Sequence, residues 1–170
     1  MLKKIFYFIL LFVVFACSGS REKRGIAVIP QPLKVMKNDG EFMLRDGMKI
    51  GVMDRSLQPA AEYFLSILNH GTSYRIEVVE GRGDITFSRV DRPEGQEERY
   101  HLNVDKTGVE VEANSYKGVI AAIATLRQLL PPEIERPKEE NRDETFTIPF
   151  IEIEDSPRFS WRGVHLDASR

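Results

Sequence analysis

The apolar side chains between residues 25 and 154 change rhythm several times, from every second position to every third or fourth and back. Tyr100, Leu102 and Val104 alternate with polar residues, as do Val109, Val111 and Ala113. Asp105-Lys-Thr-Gly108 between the two runs supplies turn chemistry, so the spacing predicts a hairpin with one buried face. Further strands are predicted at residues 25–29, 41–44, 48–52, 74–79, 84–87 and 148–153, bounded by Gly, Pro, Asp or Ser. Two stretches read at helical spacing instead. Leu57, Ala61, Phe64, Leu65 and Leu68 predict a helix capped by Ser56, with Pro59 in its first turn and Gly71 as terminator. Val119, Ile123, Leu126 and Leu130 mark the packed face of a second, from about Tyr116 to Leu130, capped by Asn114 or Ser115 and stopped by Pro131-Pro132. Strands interleaved with two helices in this order predict an α+β sandwich, both helices on one face of a sheet.

The remaining stretches of this region are polar. Residues 132–145 and 90–98 are dense in charge and read as solvated loops. Gly81-Arg-Gly83 is too short for a phosphate-binding loop and reads as a turn between strands.

The first twenty residues have a different character. Lys3 and Lys4 precede an apolar run of twelve, Ile5 to Ala16. That is short of the about 20 residues needed to span a bilayer and has the form of a targeting segment. Val14-Phe15-Ala16-Cys17-Ser18 is similar to a bacterial lipobox, and Cys17 is the sole cysteine, so no intramolecular disulfide can form. Cleavage before Cys17 and acylation of its sulfur are expected, followed by a short polar tether from Ser18 to Arg24 and anchoring to an envelope membrane, outer or periplasm-facing. The chain carries 24 basic and 26 acidic residues, a net −2. Without a basic surplus, nucleic acid is not an expected partner.

Motif chemistry in the body of the chain is sparse. His70, His101 and His165 are far apart in sequence, no ligand spacing for a metal is present, and no cofactor is expected. There is no nucleophile elbow. Glu152, Glu154 and Asp155 tempt as a carboxylate pair, but Glu152 and Glu154 fall on one face of a strand, where they repel unless solvated, and read as surface.

The last fourteen residues, Pro157-Arg-Phe-Ser-Trp-Arg-Gly-Val-His-Leu-Asp-Ala-Ser-Arg170, read as a turn, a short strand over 164–167 and a polar cluster. A strand needs a sheet, and this one is expected to belong to a second domain beginning at about residue 155. The segment resembles the opening of the catalytic barrel of family 20 glycoside hydrolases, the β-N-acetylhexosaminidases, at Pro157, Arg158, Phe159, Arg162, Gly163, Asp167, Ser169 and Arg170. Ile29-Pro-Gln-Pro-Leu-Lys-Val35 with Gly40-Glu-Phe-Met-Leu44, and Gly108-Val-Glu-Val-Glu-Ala-Asn-Ser115 with Gly118 and Thr125-Leu-Arg-Gln-Leu129, resemble the start and end of that family's N-terminal domain.

After the leader over 1–20, the resemblance implies a zincin-like α+β domain over 25–154 without zinc ligands, and the first strand of a truncated TIM barrel over 155–170. It implies a glycan with a terminal N-acetylhexosamine as substrate, hydrolysed with retention by the substrate's own acetamido oxygen, a glutamate as general acid/base and an orienting aspartate. That Asp-Glu pair belongs to a motif this sequence does not contain, so no catalytic residue is assigned and the 170-residue chain alone is expected to be inactive. Arg170 matches the family's sugar-binding arginine, a role suited to the rigid guanidinium fork; Arg162 and Asp167 read as supporting or folding residues. The alternative from the residues is a non-catalytic envelope lipoprotein that binds carbohydrate or serves a structural role.

Overall fold

The structure, a computed structural model, describes residues 26–91, 97–141, 144–159 and 163. Its strands are β1 (Lys34–Met43), β2 (Lys49–Val52), β3 (Glu77–Glu80), β4 (Ile85–Arg89), β5 (Tyr100–Asp105), β6 (Gly108–Ala113) and β7 (Thr147–Asp155); the helices are α1 (Gln58–Gly71) and α2 (Tyr116–Leu129). They form one seven-stranded sheet in the order β1-β7-β5-β6-β4-β2-β3. The β1, β7, β5 and β6 half is antiparallel, while β6, β4, β2 and β3 run parallel to their neighbours.

The expected hairpin is β5–β6, Tyr100 opposite Ala113 and Asp105 opposite Gly108. The Asp105 carboxylate accepts the Thr107 backbone N–H at 2.7 Å, closing the turn. Tyr100, Leu102 and Val104 are buried while His101 and Asn103 are half-buried, so one face of the hairpin enters the core. Both helices pack on that face. Phe64 of α1 meets Phe87 of β4 edge-on at 6.0 Å, and the Tyr100 hydroxyl lies 2.6 Å from that of Thr125 on α2. Burial pushes the Tyr100 phenol up to about 12.

Several expected boundaries move, each for a physical reason. Residues 26–29 form no strand. Pro30 and Pro32 lack ladder donors, and the segment is held instead by Gln128 of α2, whose Oε1 accepts the Ile29 N–H at 2.9 Å while its Nε2 donates to the Ile29 carbonyl at 3.1 Å. Conversely, β1 begins well before residue 41. It is an edge strand exposed on both faces at all but Phe42, and its register shifts between Lys37 and Glu41, so no alternation marks it. The bulge needs Gly40, at φ +123°, because the Phe150 ring fills the place of a Cβ. The cap before α1 is Asp54, not Ser56: its carboxylate accepts the Ser56 N–H at 2.8 Å and opens a 3-10 turn, Arg55–Leu57. Ser115 caps α2. Residues 132–141 are mostly exposed, yet the segment is pinned rather than merely solvated. Ile134 is buried under the end of α1, and the Asn141 amide reaches the carbonyls of Gly71, Glu133 and Arg136 at 3.0, 2.7 and 3.2 Å.

The tightest place in the fold is the link from β3 to β4. These parallel strands flank β2, and Glu80 is level with Val52 while Ile85 is level with Ile50. Residues 81–84 must therefore cross β2 while stepping back two rungs. They cross the face opposite the helices, which is where Gly51 would carry its side chain. A Cβ on Gly51 would lie 2.3 Å from the Gly83 nitrogen, and one on Gly83 would lie 2.4 Å from the Lys49 carbonyl oxygen. Beyond the crossing, the Arg82 guanidinium donates to Glu110 of β6 at 2.7 Å. The turn expected at Gly81-Arg-Gly83 is thus a backbone-on-backbone contact that only glycine permits.

Gly51→Ala is expected to lower stability by about 3 kcal/mol in urea denaturation, since neither backbone can retreat. Gly47→Ala, at φ +80° with open space around it, is the control and should cost only about 1–2 kcal/mol of backbone strain. Equal losses would mean that the crossing is looser than described. A second expectation concerns Asp46, whose carboxylate accepts the Arg75 backbone N–H at 2.6 Å as well as its guanidinium, lowering its pKa to about 2. A lowered pKa contributes stability above the ordinary value of 3.8 that is lost as pH falls toward 2. Arg75→Ala should return the Asp46 carboxyl toward 3.8 in an NMR titration.

Candidate functional site

Four residues singled out in the sequence, Cys17, Arg162, Asp167 and Arg170, lie outside the described residues, as do His165 and the strand expected over 164–167. The structure places instead the corner at which the chain leaves the sheet. Asp155 ends β7, and its carboxylate accepts the Leu33 N–H at 3.2 Å, just before β1. Entry and exit of the domain are thereby tied together. Ile29, Leu33 and Phe159, on the segments entering and leaving the sheet, are 79%, 58% and 72% exposed.

The tempting carboxylates of β7 are occupied. On the face away from the helices, Glu152 lies 3.2 Å from the His101 Nε2 and Glu154 is paired with Arg99. All four side chains are about one-third exposed. Their repulsion is relieved by cross-strand partners rather than by solvent alone, and the surface reading stands. A general acid needs a carboxyl raised toward the working pH. Four described carboxyls move down: Asp46 beside Arg75, Asp54 and Asp105 through hydrogen bonds from Ser56 and Thr107, and Glu135 beside Arg127. These are structural carboxylates. Among the described residues no three His, Cys, Asp or Glu side chains gather as a metal site, and His70 is engaged with the Glu135 carbonyl at 3.2 Å. No helix among them is long and apolar enough to cross a membrane.

A groove of about 470 Å³ lies on the outer side of the helix layer. Tyr63 of α1 forms one wall, and Ile120, Ala124 and Gln128 of α2 form the other. The ion pair of Arg127 with Glu135 closes one end. Sequence reading found the packed stripe of α2 but not this second one, although its spacing of four (Ile120, Ala124, Gln128) was the available signal. The walls are chiefly apolar and carry no acid or base free to exchange a proton. Such a groove holds a surface by packing; it does not hold a reacting sugar.

Comparison with known proteins identifies the fold. The family model described as glycosyl hydrolase family 20, domain 2, matches residues 25–156. A beta-hexosaminidase of Porphyromonas gingivalis is 32% identical over 151 residues, covering 86% of this chain and 19% of that protein. A beta-N-acetylhexosaminidase of Cellulomonas fimi is 30% identical over 152 residues, covering 85% of this chain and 29% of the relative. Among solved structures, the N-acetyl-beta-hexosaminidase of Streptomyces plicatus in complex with Thio-NAglucal superposes with a TM-score of 0.71 at 30% identity, over 79% of this chain and 27% of the other. The chain spans less than a third of the length of these proteins. Its mixed sheet and helix pair are theirs, and so is the sequence that builds them: the chain belongs to glycosyl hydrolase family 20, through the family's domain 2.

Proposed function

We propose that this chain is the N-terminal part of an exo-β-N-acetylhexosaminidase that removes terminal β-linked N-acetylglucosamine or N-acetylgalactosamine from glycans while anchored to a bacterial envelope membrane through Cys17. The observation that carries the reading is the junction. The domain 2 fold ends at Asp155, and the next residues, Pro157-Arg-Phe onward to Arg170, have the pattern that opens the family's catalytic barrel.

On this reading the described domain does no chemistry. It provides a rigid body whose last strand sets the position of the barrel's first. Residues at the C-terminal ends of barrel strands line the active site. Arg170, just beyond residues 164–167, would donate from its guanidinium to neighbouring sugar hydroxyls. Bond cleavage needs a general acid at the leaving oxygen and a group that holds the acetamide, both within hydrogen-bond reach of one sugar. An arginine, charged at any neutral pH, supplies neither.

Purified residues 25–170 should release no chromophore from an aryl β-N-acetylglucosaminide, whereas the same chain extended through the barrel that its relatives carry should turn it over. In the extended form Arg170→Ala should lower kcat/KM by about 10²-fold, the worth of a charge-assisted hydrogen-bond pair of about 3 kcal/mol. Turnover by residues 25–170 themselves would overturn the assignment of the chemistry to the barrel, and an extended form inert toward every β-N-acetylhexosaminide would refute the reading in favour of a non-catalytic module. The anchor has its own assay. A palmitate analogue fed to cells should label the wild type and not Cys17→Ser, and equal labelling of both would remove the lipid from the proposal.

A further inference from the structure

From the groove between α1 and α2 and its place beside the chain's exit from the sheet, we infer that the catalytic barrel packs its outer surface into this groove. The inference rests on the proposal that such a barrel continues the chain past Asp155.

The two broad surfaces of the domain differ in kind. On the sheet face away from the helices, Glu110, Asn103 and Glu152 stand level on neighbouring strands, and Glu152 and Glu154 meet His101 and Arg99. Covering such a face costs the hydration of its polar groups. The helix layer instead opens between Tyr63 on one side and Ile120 and Ala124 on the other. Tyr63 and Ala124 are exposed and Ile120 is half-buried. A groove of this kind between two helices gains by taking in the side chains of a third element.

The path of the chain selects the occupant. Gln128, in the wall of the groove, is bonded through both ends of its amide to the backbone of Ile29. Leu33 follows four residues later, at most about 14 Å of chain, and its N–H is held by the Asp155 carboxylate. Groove wall and exit are thus joined by one short span. Its ends, Ile29 and Leu33, are largely exposed, as is Phe159, four residues past Asp155. A body that begins at this corner meets apolar side chains leading to the groove. A TIM barrel carries its helices as an outer ring, and a helix is the element whose ridge of side chains fits between two others. Being tethered, it also arrives at a high effective concentration that no free partner matches.

The core cluster lies wholly between Phe42 and Ile153, so residues 25–170 enclose a core of their own and serve as the undocked reference. Ala124→Cys places a small thiol in the groove. Glu110→Cys places one on the polar sheet face, where Glu110 is exposed. Each is made in residues 25–170 and in the same chain extended through the barrel. Alkylation by iodoacetamide is then followed at each position by mass spectrometry of its peptide. Extension should slow the reaction about tenfold or more at position 124, as for a thiol that reacts only from an undocked minority of about one-tenth, and less than about twofold at position 110.

Hydrolysis of an aryl β-N-acetylglucosaminide is read on the same extended samples. An extended form that turns the substrate over while position 124 reacts as fast as in residues 25–170 overturns the inference and leaves the proposed function intact. Inertness toward every β-N-acetylhexosaminide removes the reading on which the inference rests, whatever happens at position 124. Protection that is lost on diluting the extended form assigns the groove to a second copy of the chain. Slow reaction at 124 in residues 25–170 themselves assigns it to a segment of this domain. Either result overturns the inference.

Discussion

The contact between two stretches of backbone at Gly51 and Gly83 is the constraint on which the rest of the sheet depends. β4 can lie parallel to β2 only if residues 81–84 pass over β2 within two rungs. Parallel strands are ordinarily joined by a dozen residues or more, commonly through a helix, as β2 and β3 are through α1. The second crossing has no such length and succeeds because neither strand nor loop carries a side chain at the point of contact. β6 pairs with β4, β5 with β6, and β7 with β5. Each later strand therefore inherits its position from that crossing, and so does the corner where the chain leaves the domain.

Legibility in the sequence followed how each element is buried. The β5–β6 hairpin was readable because one of its faces is buried and the other is not. The helices were readable because Phe64, Leu68, Val119 and Ile123 repeat on one side. β1 was only partly visible: an edge strand with a bulge has no face to alternate against, and Val35 and Met36 are exposed on it. The segment before it carries the right residues for a strand and the wrong backbone, since two prolines forbid a ladder there. Asn141 was invisible among charged neighbours, because a buried amide that collects carbonyls from three places leaves no periodic trace. As for the site, sequence placed its recognisable chemistry on Arg162, Asp167 and Arg170, all outside the described residues. The helix-layer groove was overlooked because its residues belong to a second, half-exposed stripe of a helix whose first stripe already explained it.

The domain thus presents three chemically different outer surfaces. The helix layer has an apolar groove ended by the Arg127–Glu135 pair. The opposite sheet face is polar, with Glu154 paired to Arg99 and Glu152 beside His101 across the strands. The β1 edge mixes exposed apolar side chains with charges of both signs, Lys34 and Lys37 with Asp39 and Glu41.

The tie between Leu33 and Asp155 has a mechanical consequence. Were the chain held at its N-terminus by the proposed anchor and joined at its C-terminus to the proposed barrel, any pull would enter and leave the domain at one corner. Force applied there opens the β1–β7 pair from its end, rung by rung from Lys34 and Glu154, instead of shearing all its rungs together. The remaining five strands and both helices lie off that line of tension. Load would peel the outermost strand while the core stayed folded, leaving a domain able to lengthen under strain and to close again when released.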